Sequence, residues 1–165
     1  YKDVNKIKEF VVAIDTSGSC RGAVVQAFLN KTYNILKSSE NFFRKVNIHI
    51  IQCDSEVRRD TKITNDEDFE TFMREGQLEG FGSTDFRPVF AYVDKAIECG
   101  VFENLNGLIY FTDGYGVFPE HKPSHNYDTA FVFLEDDYEK PPIPPWAIKL
   151  VLPAEDLEEN GGEFA

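Results

Sequence analysis

The sequence predicts a doubly wound α/β domain: a mostly parallel central sheet with helices on both faces and one antiparallel edge hairpin. Three observations carry that reading. Apolar runs of strand length alternate with amphipathic stretches of helical length. Two of the apolar runs, FVVAID and LIYFTD, end in a carboxylate rather than in an ordinary turn. A third run, VNIHIIQCD, is separated by a single serine from another strand-like segment, the spacing of a hairpin.

Taken in order, FVVAID at residues 10–15 is the first strand, and GAVVQAFLNKTYNILK at 22–37 follows it. In the latter, Val24, Val25, Phe28, Leu29, Ile35 and Leu36 fall on one side of a helix. VNIHIIQCD at 46–54 and EVRRDTKIT at 56–64 form the antiparallel pair. DEDFETFMREG has acids at its start and a glycine at its end, the charge order and stop signal of a short helix. The glycine-rich EGFGSTD then leads into FRPVFAYVDKAIECG, a helix with Pro88 in the first turn, where a missing N–H does little harm. LNGLIYFTD repeats the design of the first strand, TAFVFLE is a further strand, KPPIPPW is an extended connection and AIKLVL is the last strand. The domain is expected over residues 1–152, with 153–165 as an acidic C-terminal tail.

Composition narrows the function. With 165 residues the chain is long enough for one domain with a sizeable core. The 42% apolar and 14% aromatic content excludes the disordered class, and no apolar run approaches the roughly 18 residues of a membrane span. Three cysteines without a CxxC pair point to a reducing, cytoplasmic setting rather than a disulfide framework. The net charge of -12 repels phosphate backbones, so nucleic acid is not an expected partner. The chain starts at Tyr1, which fits a cut-out or processed piece of a longer protein. The acidic runs LEDDYE and AEDLEENGGE read as solvated surface and tail.

Three loops fall where a strand should end or a helix begin: DTSGS at Asp15–Ser19, GSTD at Gly82–Asp85 and TDG at Thr112–Gly114. In a doubly wound sheet, ligands bind beyond the carboxyl ends of the strands, where the strand order reverses. If the FVVAID and LIYFTD strands are neighbours there, Asp15 and Asp113 face one another. Two carboxylates about 4 Å apart repel by roughly 4 kcal/mol at an effective dielectric near ~20, so such a pair calls for a compensating cation. Two acids with the neutral hydroxyls of Ser17, Ser19 and Thr84 make an all-oxygen set suited to Mg²⁺ or Mn²⁺. Hydroxyls coordinate without adding charge, so the ion stays electrophilic toward one more carboxylate from outside.

DTSGS, the threonine of GSTD and the aspartate of TDG resemble the metal-ion-dependent adhesion site of the von Willebrand factor A domain family. The resemblance runs from about Phe10 to Leu152, with the motifs in the family's order. It implies a Rossmann-like sheet and a metal shell of Asp15, Ser17, Ser19, Thr84 and Asp113, with the two aspartates able to act through bound water. More narrowly, GSTDFRPVF, LIYFTDGYGVFP and PPW look like the bacterial VWA-like domain found at the C-terminal end of metallopeptidase-like proteins associated with MoxR-type AAA ATPases. No HExxH occurs in the chain, so that upstream region's chemistry is not credited to it.

Other polar residues have plainer readings. Asp85 stands at a helix start, where capping outweighs a metal role. Arg87 is explained equally by a partner's acid and by pairing with Asp85. Tyr115 reads as a turn residue packed on its own loop. His121 and His125 have zinc-like spacing but nothing to complete a site, so a solvated loop is expected. His49 reads as a strand residue on the face opposite Ile48 and Ile50, and Cys20 as packing.

The leading expectation is a binding module, with no catalytic residues, in which a bound Mg²⁺ accepts a Glu or Asp from a protein partner. The alternative is a Mg²⁺-dependent hydrolase or phosphotransferase with Asp15 as nucleophile. Against it, an acid would be wanted where Ser17 stands, and no Walker loop or GxSxG appears. A third reading is a rigid docking scaffold that works without metal.

Overall fold

Strand β1, Lys8–Asp15, is apolar on both faces, and both faces are buried: Val11, Val12, Ala13 and Ile14 all lie in the core. That is the signature of a central strand in a parallel sheet covered on both sides. The computed structural model describes residues 8–16, 27–31, 46–75, 83–112, 116–123, 125–134 and 142–152. Helix α1, described over 27–31, follows β1. Next come β2 (Val46–Cys53), β3 (Val57–Ile63), α2 (Asp66–Glu75), α3 (Arg87–Glu98), β4 (Leu105–Phe111), β5 (Asp128–Leu134) and β6 (Ile148–Leu152). The tail at 153–165, like the rest of the helix expected over 22–37, lies outside the described residues.

The six described strands are ordered β3-β2-β1-β4-β5-β6. All neighbours are parallel except β2 and β3, the expected antiparallel pair. The chain therefore builds outward from β1 in one direction, then returns to its other side with β4, which meets the condition under which the strand-end loops were expected to converge. The strand order reverses between β1 and β4, which opens a crevice beyond their carboxyl ends. Edge strand β3 carries exposed Arg58, Arg59 and Lys62, charges that discourage pairing with another sheet.

Alternation along the strands creates two cores. On one face Val12, Ile14, Ile50, Phe111 and Val132 meet Phe28 and Leu29 of α1 and Phe69 and Phe72 of α2. Phe28 stacks on Phe111 with centroids 4.2 Å apart. On the other face Val11, Ala13, Ile51, Tyr110, Phe131 and Phe133 meet Val89, Phe90 and Val93 of α3. Helices thus cover both faces of the sheet.

Local signals set the helix ends. Before α2, the Asn65 side chain accepts from the Asp68 N–H at 2.8 Å, while Asp68 accepts from the Thr64 N–H and hydroxyl, both at 3.1 Å. This reciprocal arrangement is close to a capping box. Helix α3 has Pro88 in its first turn, as expected, and ends with Gly100 at φ 81. The Gly100 N–H reaches Ile97 O and the Val101 N–H reaches Ala96 O, a Schellman closure whose left-handed residue favours glycine.

Two buried polar clusters pin the frame. At the amino ends of the strands, the Glu9 carboxylate accepts from Asn47 at 3.0 Å and from the Asn104 N–H at 2.6 Å, which ties β1 to β2 and to the entry of β4. On the α3 face, His49 packs edge-on against Phe102 at 4.7 Å, opposite Ile48 and Ile50 as expected. Its Nδ1 lies 2.8 Å from Asp60 Oδ1, and the Tyr92 hydroxyl donates to Asp60 Oδ2 at 2.6 Å.

Burial would raise the Asp60 pKa, but hydrogen bonds from His49 and Tyr92 more than offset it and hold the carboxyl below its ordinary 3.8. A depressed acid contributes stability above its unfolded pKa and loses it as pH falls through the folded value. Tyr92→Phe is therefore expected to cost about 1–2 kcal/mol at neutral pH. The gap from the parent protein should close as pH drops below about 4. Urea unfolding of both proteins across that range measures it.

Candidate metal centre

Asp15 is the last residue of β1, and its carboxylate is only 1% exposed. It stands opposite Cys53, the last residue of β2. The next residue, Thr16, clamps the strand end by donating both its N–H, at 2.7 Å, and its hydroxyl, at 3.0 Å, to Cys53 O. On the other side, Thr112 follows β4 directly and is anchored by its N–H to Val132 O at 3.1 Å. Its hydroxyl donates to Asp15 Oδ2 at 2.6 Å, a short bond of the kind an ionised acceptor makes. The β1–β4 switch point therefore holds an oriented, almost fully buried carboxylate.

Thr84 reaches the same rim from the segment before α3. The Asp85 N–H donates to Asp54 O at 3.2 Å, one residue beyond β2, and the Phe86 N–H donates to Val117 O at 3.0 Å. Consecutive residues 53 and 54 thus hold the Asp15 segment and the Thr84 segment side by side. Gly116 completes the fit: a Cβ there would lie 2.7 Å from Thr84 Cγ2 and 2.9 Å from the Phe86 ring. Only glycine allows this approach. Gly116→Ala is expected to displace Thr84 and cost about 1–3 kcal/mol, which thermal melting in chelator checks.

Below the rim, Cys53 Sγ lies 3.1 Å from the Tyr110 hydroxyl and donates to Ile14 O at 3.3 Å. Burial pushes the thiol up to about 12, so it stays protonated and inert. Burial likewise drives the Tyr110 hydroxyl well above its ordinary range, with the charges of Asp15 and Asp85 adding to the effect. Asp15 is the carboxylate whose charge bears on both members of this buried pair.

Of the five metal ligands expected from the sequence, Asp15 and Thr84 lie on segments bonded to the adjacent carbonyls of Cys53 and Asp54, while Ser17, Ser19 and Asp113 lie outside the described residues. Among the described residues there is no cluster of three or more His, Cys, Asp or Glu side chains placed to hold a metal. The donors that are described, a buried carboxylate and a hydroxyl at a strand-end crevice, are hard oxygen ligands of the type Mg²⁺ and Mn²⁺ take.

Asp85 accepts from the Arg87 N–H at 3.0 Å and binds its guanidinium through both oxygens, at 3.0 and 2.9 Å. The cap position of α3 is Phe86, so Asp85 satisfies the first helical N–H from one residue outside it, and the internal pairing of Arg87 is present. His121 is exposed and His125 lies 3.5 Å from Glu98, while Cys20 and Tyr115 are outside the described residues.

Two residues of this strand-end region escaped the sequence reading. Thr112 sat inside the quoted TDG motif but was passed over for its acidic neighbour. Asp54 ends a strand in an acid, as Asp15 does, and is 1% exposed. The repeated strand-then-acid pattern was the available signal for it.

A crevice at the switch point of an open α/β sheet is a ligand position shared by many doubly wound folds, and the family is fixed by comparison of the chain itself. The family model described as "VWA-like domain (DUF2201)" matches residues 10–153, and the chain belongs to that family. A search of curated proteins found no match by sequence. Among solved structures, proximal thread matrix protein 1 from the mussel byssus is similar with a TM-score of 0.65 and 13% identity over 95% of this chain. The chain covers 46% of that structure's length, so it spans less than half of it. BatB from Bacteroides thetaiotaomicron gives a TM-score of 0.58 at 10% identity, covering 95% of this chain and 97% of BatB. The pilus adhesin SpaC from Lactobacillus rhamnosus GG gives 0.59 at 11% identity, covering 96% of this chain and 30% of SpaC. At such identities the likeness is one of fold. Among the described residues no helix is long and apolar enough to cross a membrane.

Proposed function

We propose that this chain is a metal-dependent protein-binding module. Asp15, Ser17, Ser19, Thr84 and Asp113 would hold Mg²⁺, or Mn²⁺ in its place. The bound cation would supply positive charge and an open coordination position for a Glu or Asp side chain of a protein partner. The observation that carries this reading is the buried Asp15 carboxylate at the β1–β4 switch point, oriented by Thr112 and flanked by the Thr84 segment. A carboxylate enclosed there is costly unless its charge is compensated, and a divalent ion is one way to do so.

In this reading the domain occupies residues 1–152, ahead of an acidic tail, and functions in the cytoplasm as the C-terminal part of a larger bacterial protein with a metallopeptidase-like region. Its partner would belong to a MoxR-type AAA ATPase system and present the acidic side chain. The role is binding rather than turnover, with neither nucleic acid nor a membrane as the target. Mn²⁺ binding, followed by the electron paramagnetic resonance signal of free Mn²⁺, tests the site. One equivalent should be taken up by chelator-treated protein and none by Asp15→Ala. Absence of uptake by the parent protein would remove the reading. Partner capture in Mg²⁺ and in chelator tests the second half: equal retention in both would replace it with a metal-independent scaffold.

A further inference from the structure

From the strand-end geometry we infer that Asp54 is the positioning residue of this crevice, fixing Thr84 relative to Asp15 without touching the ion itself. The inference rests on the metal-site reading for its consequence, but its structural half stands independently. Asp54 follows β2, and its carboxylate is buried at the base of the turn into β3. Its Oδ1 accepts from the Glu56 N–H at 3.1 Å and from Arg58 Nε at 2.8 Å. Its own N–H donates to Glu56 O at 3.0 Å. The turn is thus closed from both sides, and Arg58 places a charge against the buried acid, with Glu56 holding the guanidinium at 3.4 Å from outside.

A closed turn gives the Asp54 carbonyl a fixed direction. That carbonyl receives the Asp85 N–H at 3.2 Å, and this N–H belongs to the peptide that joins Thr84 to Asp85. The preceding carbonyl, Cys53 O, receives both donors of Thr16, next to Asp15. Two adjacent carbonyls on one strand end therefore set the spacing between the two described donor segments. The carboxylate of Asp54 acts on that spacing through its grip on the turn. Its charge is already engaged by Arg58, which suits a scaffold role better than that of a ligand.

Asp54→Ala and Asp54→Asn are the test variants. The asparagine can keep the acceptor for the Glu56 N–H while losing the charge that holds Arg58. In metal-free protein, amide hydrogen exchange at Asp85 should quicken at least tenfold in Asp54→Ala relative to the parent. Exchange in the distant Schellman closure at Gly100 and Val101 should stay unchanged. Mn²⁺ affinity by paramagnetic resonance should fall about tenfold in Asp54→Ala and less in Asp54→Asn.

A parent protein that fails to bind Mn²⁺ sinks the metal reading alone, because the exchange result in chelator still decides the positioning role. If the parent binds Mn²⁺ and Asp54→Ala binds it equally well with Asp85 exchange unaltered, the inference is overturned. Uniformly faster exchange across the fold, including Gly100, would also overturn it by reducing Asp54 to general stability.

Discussion

Addition of Mg²⁺ to chelator-treated protein is expected to raise its melting temperature by about 5–10 °C when the metal stands a hundredfold above its dissociation constant. At that ratio a ligand that binds only the folded state stabilises it by about 2.7 kcal/mol. A domain of this size converts each kcal/mol into roughly 2–4 °C. Asp15→Ala should abolish the rise, because it removes the buried carboxylate that Thr112 orients. The same variant gains something in chelator, since it no longer buries an acid at the crevice, so its metal-free melting temperature should fall little. The pair of melting curves separates ligand loss from misfolding: a variant that is folded and indifferent to Mg²⁺ has lost the site alone. A parent protein equally indifferent at saturating metal would count against the site.

Phe86→Ala is expected to produce the largest loss of stability, about 3–5 kcal/mol. The melting temperature should drop by roughly 6–20 °C. Phe86 is fully buried at the entry to α3, with its ring 4.6 Å from Phe118, 5.0 Å from Tyr110 and 5.7 Å from Phe131. Truncation forfeits the transfer energy of the ring and leaves a cavity between helix and sheet. It also empties the space beside Gly116, whose backbone lies close to both the Phe86 ring and Thr84. The Mg²⁺ response should therefore shrink along with stability. Phe90→Ala is the matching control: that ring joins the same aromatic layer, 5.7 Å from Trp146 and 6.1 Å from Phe131, but one turn further into α3. It should lower stability comparably and leave the metal-induced shift near its parental value.

The architecture was legible because its strands announce themselves physically. Doubly buried β1 and β4 are nearly continuous apolar runs, and α3 carries its buried Val89, Phe90 and Val93 at helical spacing. The shared design of β1 and β4 made them candidates for neighbours, but only the structure pairs them. The start of β1 was less visible, since Lys8 and Glu9 pair with Val46 and Asn47 although their side chains do not look like a strand's. Glu9 is buried only because Asn47 and the Asn104 N–H meet it from distant parts of the chain, and no local pattern encodes that.

The site divides in the same way. The placement of Asp15 and Thr84 at element boundaries was readable because each belongs to a short motif there. The roles of Thr112 and Asp54 arise from what lies across the sheet: a hydroxyl one strand away in the first case, an amide beyond α2 in the second. Gly116 drew no reading of its own, although a side chain there would collide with Thr84 and the Phe86 ring. Such complementary spaces have no signature in residue spacing.

The most direct measurement is an anomalous difference map from a crystal of this domain soaked in Mn²⁺. The account predicts one strong peak beyond the carboxyl ends of β1 and β4, with Asp15 and Thr84 reaching it directly or through a water. A map with no peak there, or with its metal bound at another surface, would contradict it.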